Sequence, residues 1–194
     1  DRSWRFINDS EAEIREDIFG QLIEGTTNNW SGTYMVRTDI LFDIYPDRNI
    51  YCSRYGQNLQ ILCPVAYGRK IGYIDEVLVE YIIRNSSLTH HSEALSQKAL
   101  ENAKGFYDIR YHIIDLIFNS VKTSQTQQYY RLADLSYFRM QIAISDGQKD
   151  QAKKVYRKII LSGGNINDSI TYYCFAFKPV SYLLRVWRKI KNKY

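Results

Sequence analysis

The stretch IGYIDEVLVEYIIR, residues 71–84, decides how this chain folds. It sets isoleucine, valine and tyrosine on both sides of the acidic step Asp75-Glu76, a pattern that suits two short strands, 71–75 and 78–84, better than one helix. Upstream, NNWSGTYMVRT is aromatic and β-branched between Gly32 and Asp39, which makes Thr33–Arg37 a further strand candidate. A short helix, Asp39–Ile44, is expected to stop before Pro46. After a mixed segment to Tyr55, LQILCPVAYGRK reads as an apolar helix that tolerates Pro64 only if it kinks or starts late. At the start, Asp9 or Ser10 with Glu13 resembles a capping box. Ile14, Ile18 and Leu22 then recur at helical spacing until Gly25 supplies a stop, which predicts a helix over 10–24.

Downstream of NSSLTHHS the character changes. Leu95, Ala99, Ala103, Phe106, Ile109, Ile113, Leu116 and Ile117 step by three or four, predicting one helix over 92–122 or two joined near Gly105. The pattern repeats over 127–145 and 149–162, divided by Asp146-Gly147 and ended by Ser162-Gly163-Gly164. Helices are also expected over 167–177 and 180–192, either side of Pro179. The hairpin at 127–162 has the look of a tetratricopeptide unit, but a single copy does not make a stacked array. The fold class predicted is therefore α+β: a mixed part, residues 1–91, followed by an all-helical extension, residues 92–194.

Composition excludes several classes. In 194 residues, 45% hydrophobic and 24% charged, there is material for a sizeable core and no signature of disorder, collagen or a disulfide scaffold. No stretch approaches the roughly 18 uninterrupted apolar residues of a membrane span, and DRSWRFINDS lacks a signal-peptide core. Cys52, Cys63 and Cys174 are odd in number and without metal spacing, so buried thiols in a reducing, cytoplasmic setting are expected. The net charge of +5 is unevenly placed: residues 147–194 hold 11 Lys or Arg against 2 Asp or Glu, and residues 1–146 hold 15 against 19. Any anionic partner is met by the C-terminal quarter.

Three features, in order, resemble the C-terminal half of family 2 glycosyltransferases of bacterial polysaccharide and lipopolysaccharide synthesis, enzymes of the GT-A fold. They are Gly32-Thr33-Tyr34-Met35-Val36-Arg37; the helix start Gly56-Gln57-Asn58-Leu59-Gln60 running to Leu62 and Pro64; and Gly72-Tyr73-Ile74-Asp75-Glu76 to Tyr81-Ile82-Ile83-Arg84, closing on Asn85-Ser86-Ser87. The similarity covers roughly residues 10–95. It implies that 1–91 is the acceptor-side portion of a GT-A-like domain with a few short strands, acting with a nucleotide-sugar donor and a saccharide or lipid-linked acceptor. It also implies a divalent metal, Mg or Mn, held by an Asp-x-Asp motif in the donor half. This chain contains no Asp-x-Asp and no Gly-rich phosphate-binding turn, so the resemblance describes a fragment that binds no metal and transfers no sugar alone.

Site residues carried over from the resemblance fall in three groups. Relatives with a Glu-Asp pair at the helix start use the aspartate as base; here the matching residues are Gln57 and Asn58, and an amide takes no proton at neutral pH. Asn58 is thus left to orient an acceptor hydroxyl, or merely to cap its helix; apart from the resemblance, Asp75 with Glu76, an adjacent acidic pair on an expected strand, offers a catalytic carboxylate or is simply solvated at a strand turn. Arg84, with His90 and His91, matches the loop that closes over the donor diphosphate, where a forked guanidinium suits phosphate; the alternative is an ion pair of Arg84 with Glu80 or Asp75 and histidines in a solvated linker. Trp30, Tyr34, Arg54 and Tyr55, with Gln57, offer an acceptor surface on which sugar rings stack. His112, inside a helix, is expected to be a packed or surface residue. A rival reading is a non-catalytic helical module that binds a protein partner. Nucleic acid is not expected, since the basic tail interleaves only Trp187 and Tyr194. Residues 180–194 combine Leu183, Leu184, Val186, Trp187 and Ile190 with five cations, which suits peripheral docking on the inner, anionic membrane face.

Overall fold

The computed structural model describes residues 18–27, 34–53, 55, 58–69, 71–72, 80, 97–144 and 148–176. In chain order these carry α1 (Ile18–Glu24), α2 (Thr38–Ile44), α3 (Leu59–Ala66), α4 (Gln97–Phe118), α5 (Ser124–Ile144), α6 (Lys149–Leu161) and α7 (Ile166–Ala176). No strand occurs among the described residues. That overturns the α+β expectation and, with it, the GT-A-like arrangement of short strands. Tyr34–Arg37 forms no strand: Arg37 is extended (φ −69°, ψ 126°) only as the residue that opens α2, and Met35 is 88% exposed with no layer against it. Ile71 and Gly72 are irregular, and the rest of the expected strand pair, apart from exposed Glu80, lies outside the described residues.

The apolar residues pack helix on helix. Ile18, Phe19, Leu22 and Ile23 of α1 meet Leu59, Cys63 and Ala66 of α3, Ile109, Ile113 and Ile114 of α4, and Tyr129 and Ala133 of α5 in one buried cluster. Phe19 sits at its centre, edge-on to Tyr67 at 5.2 Å and to Tyr129 at 4.8 Å. Further along α5, Leu135 and Ile142 join Ala152, Val155 and Ile159 of α6 and Tyr172 of α7 in a second cluster. The long helix α5 therefore links both.

Helix ends follow local chemistry. Gly25, at φ +74°, ends α1, and the Thr26 N–H returns to the Gln21 carbonyl at 3.0 Å. Gly163, at φ +89°, ends α6, with Gly164 N–H to Ile159 O at 2.8 Å and Gly163 N–H to Ile160 O at 3.2 Å, the paired bonds of a Schellman motif. Thr123 opens α5 by accepting the Thr126 N–H at 3.1 Å. Asn165 opens α7: its Oδ1 accepts the Asn167 N–H and its own N–H is held by Asp168 Oδ2, both at 2.8 Å. Asp168 also receives Arg139 Nε at 2.6 Å and Nη2 at 3.1 Å, while Arg139 Nη1 reaches Glu24 at 2.5 Å. One guanidinium thus joins the end of α1, the middle of α5 and the start of α7.

Pro64 stands inside α3. Having no N–H, it leaves the carbonyl of Gln60 without its helical donor. The Tyr45 hydroxyl, just after α2, supplies one at 2.8 Å. Burial pushes the Tyr45 phenol up to about 12, so it remains a donor at physiological pH.

Candidate functional site

The start of α3 is the place where the structure joins two of the segments that carry the resemblance. Asn58 occupies the N-cap position, with its carbonyl accepting the Leu62 N–H at 2.9 Å, but its side chain makes no capping bond. Its Oδ1 instead accepts the Tyr34 hydroxyl at 3.3 Å. Capping alone therefore does not account for Asn58. Burial raises the Tyr34 phenol above its ordinary value, so it donates at neutral pH. With Oδ1 engaged, the Asn58 amide keeps its two Nδ2 hydrogens as donors, while Leu59 and Gln60, which follow it in the first turn of α3, are buried. An amide can donate such hydrogens but takes no proton at neutral pH.

Tyr55 lies against α4. A Cβ built on Gly105 would fall 2.0 Å from Tyr55 Cδ2 and 2.6 Å from Cγ, so the ring rests directly on the glycine backbone. Two turns further along α4, Tyr51 stacks on His112 with centroids 4.2 Å apart and an interplanar angle of 29°. Tyr51 and Tyr55 therefore meet α4 in reverse chain order, two turns apart. His112 is exposed, as expected for a surface residue.

Of the residues nominated from sequence, the structure brings Tyr34 and Asn58 into contact and sets Tyr55 in the segment before α3. Trp30, Arg54, Gln57, Asp75, Arg84, His90 and His91 lie outside the described residues. Among the described residues no group of three or more His, Cys, Asp or Glu is placed to hold a metal ion, so the implied divalent ion finds no fit in them. The thiols divide: Cys63 is buried, and that burial pushes it up to about 12, whereas Cys52 is exposed, against expectation.

Composition alone hid a tyrosine ladder across α4 and α5. Tyr111 donates to Asp134 at 2.9 Å and Tyr130 donates to Asp115 at 2.5 Å, two reciprocal bonds between antiparallel helices. Tyr107 lies 4.4 Å from Tyr111 and 4.7 Å from Tyr137, ring to ring. The i, i+4 spacing of Tyr107, Tyr111 and Asp115, facing Tyr130, Asp134 and Tyr137, is the signal that finds it. Burial, the first cause, with the carboxylate contacts, raises Tyr111 well above the phenol range, so the ladder is uncharged on its tyrosine side. No described helix is long and apolar enough to cross a membrane. Set against protein-family models, curated proteins and solved structures, the chain matches none of them.

Proposed function

We propose that this chain is the acceptor-side piece of a family 2 glycosyltransferase of cell-surface polysaccharide synthesis, built on helices. Its longer polypeptide takes a sugar from a nucleotide-sugar donor to a saccharide or lipid-linked acceptor, on the cytoplasmic side of a membrane. The observation that carries the reading is the Tyr34–Asn58 hydrogen bond, because it ties the first resembling segment to the second. In this role Asn58 Nδ2 holds an acceptor hydroxyl and the rings of Tyr34, Tyr55 and Tyr51 offer faces for sugar C–H groups. Trp30, Arg54 and Gln57 extend that surface, and Arg84 with His90 and His91 meets the donor diphosphate. The base is a carboxylate, since the Asn58 amide takes no proton, with Asp75 as this chain's contribution. The divalent metal belongs to the donor half.

The test is sugar transfer from a panel of nucleotide sugars by the polypeptide that carries this chain together with a donor half. Asn58→Ala is expected to raise the KM for acceptor more than it lowers kcat, and Arg84→Ala to weaken nucleotide binding by about 1.5–3 kcal/mol, the worth of a bond to a charged group. Residues 1–194 alone are expected to show no turnover above a boiled control, and turnover by them refutes the fragment reading. A second reading, a helical protein-interaction module without catalysis, is favoured by the exposed apolar residues of α6 and α7. Absence of transfer from every nucleotide sugar tested supports that second reading.

A further inference from the structure

The outer face of α6 is basic. Ala152, Val155 and Ile159 face the core, while Lys153, Lys154, Arg157 and Lys158 are exposed. Lys154, Arg157, Lys158 and Leu161 fall at i, i+3, i+4 and i+7, so the cations share one stripe with an apolar end residue. Leu161 is 87% exposed. Across the Gly163-Gly164 turn, Ile166 is 76% and Ile170 is 55% exposed, one helical turn apart on α7. Among the described residues none of Lys153, Lys154 and Arg157 is in an ion pair. The elements on either side of the α6–α7 turn thus expose the large aliphatic residues Leu161, Ile166 and Ile170, with Ile160 beside them, and the cations of α6 lie within one or two turns of Leu161.

We infer that the α6–α7 turn docks on the surface of an anionic phospholipid bilayer, with Leu161, Ile166 and Ile170 entering the headgroup boundary and Lys153, Lys154, Arg157 and Lys158 meeting lipid phosphates. Charge complementarity selects the partner: an apolar tip alone fits any greasy surface, but cations within one or two turns of it require negative charge beside hydrocarbon. Nucleic acid offers the charge without the hydrocarbon, since aliphatic side chains gain nothing from a phosphate backbone and a stacking platform needs aromatic rings. Lys158, though exposed, also lies over the Phe138 ring of α5 at 5.4 Å, so Lys153, Lys154 and Arg157 are the cations with no described contact to the core. The inference rests on α6 and α7, and no step of it depends on sugar transfer.

The experiment is sedimentation of the full chain with vesicles of phosphatidylcholine alone and with about 30% phosphatidylglycerol, at low and high salt. Binding is expected only with the anionic lipid, falling as salt rises. Leu161→Glu with Ile166→Glu, and separately Lys154→Glu with Arg157→Glu, are each expected to weaken it about tenfold or more at unchanged melting temperature, since each cation near the surface is worth roughly a fivefold change. Equal sedimentation with neutral vesicles overturns the inference. So does unchanged anionic binding in both double variants, which assigns any membrane contact to residues 180–194. A concentration-dependent dimer that Leu161→Glu dissolves, without lipid binding in the parent, assigns the tip to a second copy and also overturns it.

Discussion

Replacing Arg139 by alanine removes the node that joins α1, α5 and α7. Asp168, whose side chain is 5% exposed, loses two charge-assisted bonds and keeps only that from the Asn165 N–H, and Glu24 loses its partner. Breaking a fully buried ion pair costs about 3–5 kcal/mol. Arg139 and Glu24 are each about a quarter exposed, so water recovers part of that, and the expected loss is about 2–4 kcal/mol. For a chain of this length a loss near 3 kcal/mol lowers the melting temperature by about 6–12 °C. Arg139→Lys, which keeps charge but not the fork, should lose about half as much. Urea unfolding followed by far-ultraviolet circular dichroism reads all three proteins. Burial alone pushes the Asp168 carboxyl up, but the bonds from Arg139 and Asn165 outweigh it and hold it below the usual range. Its stabilising contribution is therefore complete above about pH 5 and fades as pH falls through the depressed value. The gap between parent and Arg139→Ala should narrow over that interval. A loss under about 0.5 kcal/mol, or a gap that widens on acidification, refutes the reasoning.

Tyr45→Phe leaves the Gln60 carbonyl without a donor and should cost about 1–2 kcal/mol; in a Pro64→Ala background, where the backbone N–H is restored, the cost should largely vanish, as a double-mutant cycle in urea will show. Gly105→Ala gains up to about 1 kcal/mol of helix propensity but drives a methyl into Tyr55, so a net loss of about 1–3 kcal/mol is expected; with Tyr55→Ala, which removes the ring but keeps a Cβ 2.9 Å away, the added cost of Gly105→Ala should be smaller. Peptide-resolved thiol labelling of the native chain should modify exposed Cys52 within minutes and leave Cys63, whose thiol burial pushes up to about 12, untouched until unfolding.

Helix stops were legible in the sequence because they depend on adjacent residues: Gly25 and Gly163-Gly164 end α1 and α6 where the pattern placed the stops. Helix starts were less so. Thr123 caps α5 ahead of the expected start at Gln127, because its Oγ1 partner is the Thr126 N–H and not an apolar position. The tolerance for Pro64 depends on a hydroxyl from Tyr45, and the Arg139 node spans Glu24 to Asp168; neither pairing has a local signature. The strand expectation failed at Tyr34–Arg37 because β-branched and aromatic residues favour a strand only where a partner pairs with it, and Tyr34 is engaged with Asn58 instead. Of the candidate site residues nominated from sequence, Tyr34 meets Asn58 and Tyr55 packs on Gly105 of α4. Sequence could not show that the Asn58 side chain turns from its own helix to the phenol.

The most direct test of the acceptor-site reading is a saccharide titration of residues 1–194 followed by backbone amide NMR. The account predicts saturable shifts confined to Tyr34, Tyr55, Asn58 and the first turn of α3, with affinity falling about tenfold in Asn58→Ala while the melting temperature holds. Shifts confined to other surfaces, or saccharide affinity unchanged by Asn58→Ala, contradict it.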